Sequence, residues 1–162
     1  MQPQFLAEML KLCKGEGLHT AVETCGWADE KAIRKIREWT DLFLFDLKLA
    51  DPVAHRHYTG QSNEIILSNL TLLARSGARI IIRFPVIPGI TDTPENVGGI
   101  IVLMRSLGLT EIDLEPYHAF GLAKCREFGL PEPQYPLDPP SREALESLVQ
   151  RFSSENFVCR VA

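Results

Sequence analysis

The sequence predicts an α/β fold built from βα units around a mainly parallel sheet. Three observations carry that expectation. Stretches with helical periodicity alternate with short strand-like stretches at intervals of about 20–40 residues, the spacing of βα units. Leu42–Leu47, apolar except for Asp46, reads as a strand buried on both faces, and the isoleucine-rich Arg79–Ile87 as a further strand. Glycine and proline signals at Gly15–Gly17, Gly77, Pro88-Gly89 and Gly108 mark where the segments end. Parallel connections are right-handed, so consecutive strands should be neighbours with helices covering the outside.

The elements follow in order. Phe5, Met9, Leu12 and Cys13 recur at i, i+4, i+7 and i+8 and define the buried face of a first helix, with Cys13 a packing residue. His19–Glu23 reads as a short strand closed by Thr24-Cys25-Gly26, and Ala32, Ile33 and Ile36 mark a second helix. After the Leu42–Leu47 strand, Asp51-Pro52 supplies an N-cap and a proline for a short helix. His55 and His57 lie on that helix and read as solvated rather than as metal ligands. Asn63–Ser76 is helical, with Ile66, Leu70, Leu73 and Ala74 on one face. Arg79–Ile87 is the strongest strand. Thr93-Pro94-Glu95 starts a helix whose stripe is Val97, Ile100, Ile101 and Met104. Glu111–Glu115 is a strand, Leu130–Pro140 is proline-rich and irregular, and Ser141 caps a helix with Leu145, Leu148, Val149 and Phe152 inward. Phe157–Val161 closes the series. No linker or charge block divides the chain, so residues 1–162 read as one domain. One feature is odd: the chain opens on a helix with no strand before it.

Composition narrows the function classes. Of 162 residues 45% are hydrophobic and 23% charged, enough chain for a substantial core. The net charge of −4 argues against a general nucleic-acid binder. No apolar run approaches the ~20 residues that span a bilayer, and no signal-peptide pattern opens the chain, so a cytoplasmic protein is expected. A complete (β/α)8 barrel, typically ~250 residues, is excluded by length. The cysteines at 13, 25, 125 and 159 form no C-x2-C or C-x3-C pair, so neither a zinc ribbon nor a local iron–sulfur loop can be built from them.

Chemistry in parallel α/β folds sits beyond the carboxyl ends of the strands. Glu23-Thr24, Asp46 and Lys48, Arg83, and Glu115-Pro116-Tyr117-His118 all fall there. Asp46 and Lys48 are two apart on a strand and face the same side, as a structural ion pair or as a pair that meets a ligand. Arg83, inside an apolar run, needs an anion: a protein carboxylate such as Glu115, or a ligand carboxylate or phosphate. His118 reads equally as a ligand contact or a solvated side chain. Together these groups suit a zwitterionic small molecule. Cys25 is the candidate nucleophile, but no adjacent base activates it and it reads as a plain loop cysteine.

Four motifs in sequence carry a resemblance: Val-Glu-Thr-Cys-Gly (22–26), Phe-Asp-Leu-Lys (45–48), Arg-Phe-Pro-Val-Ile-Pro-Gly (83–89) and Glu-Pro-Tyr-His (115–118). The chain resembles the C-terminal two-thirds of a glycyl-radical-enzyme activating enzyme of the pyruvate formate-lyase activating type, in the radical S-adenosylmethionine superfamily. The resemblance implies an open, partial (β/α)6 TIM-type barrel, of which these residues form the last four or so units. It implies a [4Fe–4S] cluster on a C-x3-C-x2-C loop whose open iron binds S-adenosylmethionine, and a flavodoxin or ferredoxin as reductant. The 5′-deoxyadenosyl radical so produced takes a hydrogen atom from a glycine of the partner enzyme.

By motif match, Glu23, Thr24, Asp46, Lys48 and His118 are implied cofactor-binding residues, and Arg83 is implied to lie near cofactor and substrate glycine. Glu23 and Asp46 are implied neighbours of a monovalent cation. The cluster loop and the Gly-Gly-Glu-Pro strand have no counterpart here, so the chain is expected to be N-terminally truncated, inactive alone and weak in S-adenosylmethionine binding. The loop from Phe120 to Pro140 is the candidate for partner recognition. Two other readings remain: a non-catalytic module that binds a partner or nucleoside, and a stand-alone enzyme using Asp46 and Lys48 for acid–base work.

Overall fold

Local signals set most of the boundaries seen in the computed structural model, which describes residues 2–118, 128–129 and 138–162. Helix α1 is Pro3–Gly15, followed by β1 Ala21–Thr24, α2 Glu30–Arg37, β2 Leu42–Asp46, α3 Pro52–Thr59 and α4 Glu64–Arg75. Then come β3 Ile80–Val86, α5 Pro94–Ser106, β4 Glu111–Pro116, α6 Arg142–Ser153 and β5 Val158–Val161. Asp29, Asp51, Thr93 and Ser141 each accept a backbone N–H of the first helical turn. Such caps are worth about 1 kcal/mol apiece. Cys125, most of the proline-rich stretch and most of the candidate recognition loop lie outside the described residues.

The five strands form one sheet in the order β1-β2-β3-β4-β5, every neighbouring pair parallel. That is the α/β architecture the alternation predicts. Val22, Phe43 and Ile80 stand in register, as do Phe45, Ile82 and Ile112, and Phe84 with Leu114. Paired residues share a face, and these form one core with Ile33, Ile66, Leu70, Leu73, Ile100, Met104 and Phe152 of the helices. Among the described residues no helix is long and apolar enough to cross a membrane.

Three expectations are corrected. The buried residues of α1 are Ala7 and Leu10, while Phe5 and Leu12 are 65% and 72% exposed. The helix carries two adjacent apolar stripes, and packing against α2 selects the one that includes Ala7 and Leu10. Strand β2 is covered on one face only: Phe43 and Phe45 are fully buried, whereas Leu42, Leu44 and Asp46 are half-buried. Finally, His55 is buried rather than solvated. Its Nδ1 lies 2.7 Å from the Gln61 carbonyl and 2.9 Å from the Thr59 hydroxyl, so the turn after α3 satisfies it.

Candidate functional site

Beyond Leu44 and Ile81, the sheet face opposite the core is polar toward the carboxyl ends of the strands, and register decides which side chains meet there. Asp46, Arg83, Asp113 and Arg160 form one row across β2, β3, β4 and β5. Arg83 is the hub. Its Nε donates to Glu115 Oε1 at 2.7 Å, and its Nη1 spans β2 to reach Glu23 Oε1 at 2.5 Å. The Glu115 hydrogen bond, reinforced by the charges of Glu115, Glu23 and Asp46, raises the Arg83 pKa against the opposing effect of burial. The pairing of Arg83 with Glu115 is thus a protein carboxylate contact, one of the two options its position required.

Asp46 and Lys48 do share a side, 3.6 Å apart, with both side chains about one-third exposed. That pair is loose compared with the Arg83 contacts. Thr24 pairs with Phe45 and so belongs to the core-facing row, and its hydroxyl accepts the Gly26 N–H at 3.0 Å. Gly26 has φ +71°, and a Cβ there would collide with the Phe45 ring, so only glycine lets this turn close. His118 is exposed, two residues past β4, at the same rim as Glu115. The Tyr117 N–H bonded to the Val86 carbonyl at 3.0 Å fastens that exit to β3.

Sequence reasoning missed a second ion group on this face. Arg160 pairs with Glu111 at 3.1 Å and with Asp113 at 3.5 Å, and Arg79 approaches Glu111 at 3.6 Å. The signal was present in the alternation Glu111, Asp113, Glu115, which puts three acids on one side of β4.

Cys13, Cys25 and Cys159 are free, half-buried thiols. Burial, with the nearby Asp113 charge, pushes the Cys159 thiol up to about 11, the opposite of nucleophile activation. Among the described residues no group of three or more His, Cys, Asp or Glu side chains is arranged to hold a metal ion. The described cysteines therefore do not fit a [4Fe–4S] cluster. Glu23 pairs with Arg83, and Asp46 lies 3.6 Å from Lys48.

By comparison with known proteins, this parallel α/β sheet with charged residues at its strand ends matches a partial radical S-adenosylmethionine barrel domain. A domain of pyruvate-formate lyase-activating enzyme from Bacteroides vulgatus superposes with a TM-score of 0.82 at 26% identity, over 99% of this chain and 91% of that one. Trans-4-hydroxy-L-proline dehydratase activating enzyme of Clostridioides difficile is 35% identical over 159 residues, 97% of this chain and 53% of the relative. Choline trimethylamine-lyase activating enzyme of Oleidesulfovibrio alaskensis is 37% identical over 142 residues, 85% of this chain and 45% of the relative. No protein-family model matches. The chain is a homologue of the glycyl-radical-enzyme activating enzymes, and it spans about half the length of these curated relatives.

Proposed function

We propose that this chain forms the cofactor- and substrate-facing part of an activating enzyme for a glycyl radical enzyme. The observation that carries the reading is the charged strand-end constellation of Glu23, Asp46, Lys48, Arg83 and Glu115, in a chain whose relatives are such enzymes. S-adenosylmethionine presents an α-amino group and an α-carboxylate. Asp46 supplies an acceptor for the first, and Lys48 and His118 supply donors for the second. Arg83, held between two carboxylates, keeps its guanidinium at the centre of the face, where the glycine segment of the partner enters. One electron from a flavodoxin or ferredoxin would break the sulfonium–C5′ bond of S-adenosylmethionine, releasing methionine and a 5′-deoxyadenosyl radical that would take a hydrogen atom from that glycine and leave as 5′-deoxyadenosine. No step through the cluster is assigned to the residues of this chain.

The partner we put first is of the pyruvate formate-lyase type, a reading supported by the 26%-identical domain. The dehydratase and the lyase named for the two relatives are the competing partners. The test joins this chain to the cluster-binding half of a homologue, reconstitutes the fusion with iron and sulfide, and reads radical formation on the three partners by electron paramagnetic resonance. Radical on one partner, lowered about tenfold or more by Lys48→Ala, is the expected result. Equal yields with and without Lys48 overturn the site. Ligand binding without radical on any partner favours the non-catalytic module. The 162 residues alone are inferred to bind S-adenosylmethionine weakly and to make no 5′-deoxyadenosine; production of that nucleoside by the chain alone overturns the inference.

A further inference from the structure

Three asparagines are buried among the described residues, and none is explained by the charged face. Asn63 is fully enclosed, Asn69 is 1% exposed and Asn96 is 8% exposed. Each sends its side-chain amide to the turn that leaves a strand at its carboxyl end. The Asn69 Nδ2, on α4, donates to the carbonyls of Gly26 and Ala28 after β1, both at 2.8 Å. The other two converge on a single turn.

That turn is Lys48–Ala50, immediately after β2. Asn96 of α5 accepts the Ala50 N–H on Oδ1 at 2.8 Å and donates from Nδ2 to the Lys48 carbonyl at 3.0 Å. The same Nδ2 reaches the Thr91 carbonyl at 2.7 Å, tying in the turn after β3. Asn63 donates to the Leu49 carbonyl at 2.8 Å and the Ala50 carbonyl at 3.0 Å. Three successive carbonyls, 48 to 50, are therefore held by side chains from two different helices. Buried backbone groups need partners, and here those partners are not the turn's own backbone.

Two details show that the arrangement serves the turn rather than the helices. Asn63 occupies the N-cap position of α4, yet its side chain makes no cap hydrogen bond, and its Oδ1 is enclosed with no hydrogen-bond partner among the described residues. An asparagine at that position ordinarily spends that oxygen on the first helical turn. On α5, Gly99 lies one turn after Asn96, and a Cβ there would stand 2.8 Å from the Ala50 Cβ. Glycine lets the helix approach closely enough for Asn96 to reach both sides of the peptide.

We infer that Asn63 and Asn96 are positioning residues for Lys48: they seat the Lys48–Ala50 segment against α4 and α5, so that Lys48 leaves β2 on the charged face beside Asp46 and in fixed relation to Arg83. This rests on the reading of Lys48 as a contact of the zwitterionic cofactor. It adds a role for two residues outside that site. Neither touches the ligand, and both act through backbone.

The test separates the clamp from the cofactor site. Amide exchange of Ala50 is compared with that of Ile82, a fully buried residue of β3, in wild type and Asn96→Ala. S-adenosylmethionine binding is read by NMR titration at millimolar ligand in wild type, Asn96→Ala, Lys48→Ala and the double variant. Asn96→Ala should speed Ala50 exchange by more than about tenfold beyond any change at Ile82, and should weaken binding about tenfold. In the Lys48→Ala background the same substitution should leave binding unchanged. Ala50 exchange that rises only in step with Ile82 overturns the clamp, and so do binding losses that multiply in the double variant. If Asn96→Ala does not fold, Asn63→Ala, which removes the donor to the Leu49 and Ala50 carbonyls, carries the same comparison. If wild type shows no titration, the cofactor reading falls, and the exchange experiment still decides the clamp.

Discussion

The two faces of this sheet are made by the same strands and differ in everything else. On one face Phe43, Phe45, Ile82, Phe84, Ile112 and Leu114 are all fully buried under the helices. On the other, one residue along each strand, stand Glu23, Asp46, Arg83, Asp113, Glu115 and Arg160, joined by ion pairs and partly open to water. An alternation of two thus divides the strands into residues that hold the fold and residues free to do chemistry. Charges this crowded add little net stability once desolvation is counted.

Substitution on the core face is where the largest loss of stability should appear. Phe84 is fully buried and meets Phe152 edge-on at 6.0 Å between ring centroids. Phe84→Ala should cost about 3–5 kcal/mol by chemical denaturation. A loss below about 1 kcal/mol would mean the core is not packed around this strand.

Arg83, next to Phe84 and facing the other way, should behave differently. Its side chain is 21% exposed and bridges two carboxylates. Arg83→Met should cost about 1–2 kcal/mol, because Glu23 and Glu115 are left facing each other. Radical yield in the fused enzyme should fall far more than that stability change accounts for. A variant that is unstable but active per folded molecule would erase the distinction between the faces.

How much of this was legible follows from what periodicity can and cannot encode. The helix of Pro94–Ser106 was readable because Thr93, Pro94 and the Val97–Met104 stripe are local signals. The buried face of α1 was not, because Phe5-Met9-Leu12 and Leu6-Leu10 are equally apolar and α2 chooses between them. Glu23, Asp46 and Arg83 could be found at strand ends, yet the Glu23–Arg83 contact depends on a register that skips β2. Asn63 and Asn96 were invisible as clamps, since asparagine near a helix start reads as a cap. Whether such a side chain caps its own helix or reaches a neighbouring turn is a tertiary fact.

Within the charged face the contrast can be graded. Arg160 pairs with Glu111 and Asp113 but is 53% exposed, so Arg160→Ala should change stability by only about 0–1 kcal/mol in the same denaturation experiment. A cost matching that of Arg83→Met would show the β5 edge to be as structurally committed as the centre.

The smallest effect lies at the opposite ends of the strands, where charge serves the fold. Asp41, just before β2, accepts hydrogen bonds from Lys14 Nζ at 2.8 Å, the Thr20 N–H at 2.8 Å and the Thr20 hydroxyl at 3.1 Å, tying α1 to the starts of β1 and β2. The Lys14 contact first, then the Thr20 N–H, lowers its carboxyl from 3.8 to about 2. A lowered carboxyl contributes stability that is complete above its unfolded value and is lost as pH falls through the folded one. The window is therefore between about pH 4 and pH 2. Asp41→Asn removes the titrating group, so wild type should exceed the variant at about pH 5, and the gap should narrow steadily as pH approaches about 2. Denaturation midpoints across that range measure it. No gap at any pH would place the stabilisation in the Thr20 hydrogen bonds, which an amide oxygen can still accept, and not in the charge shared with Lys14.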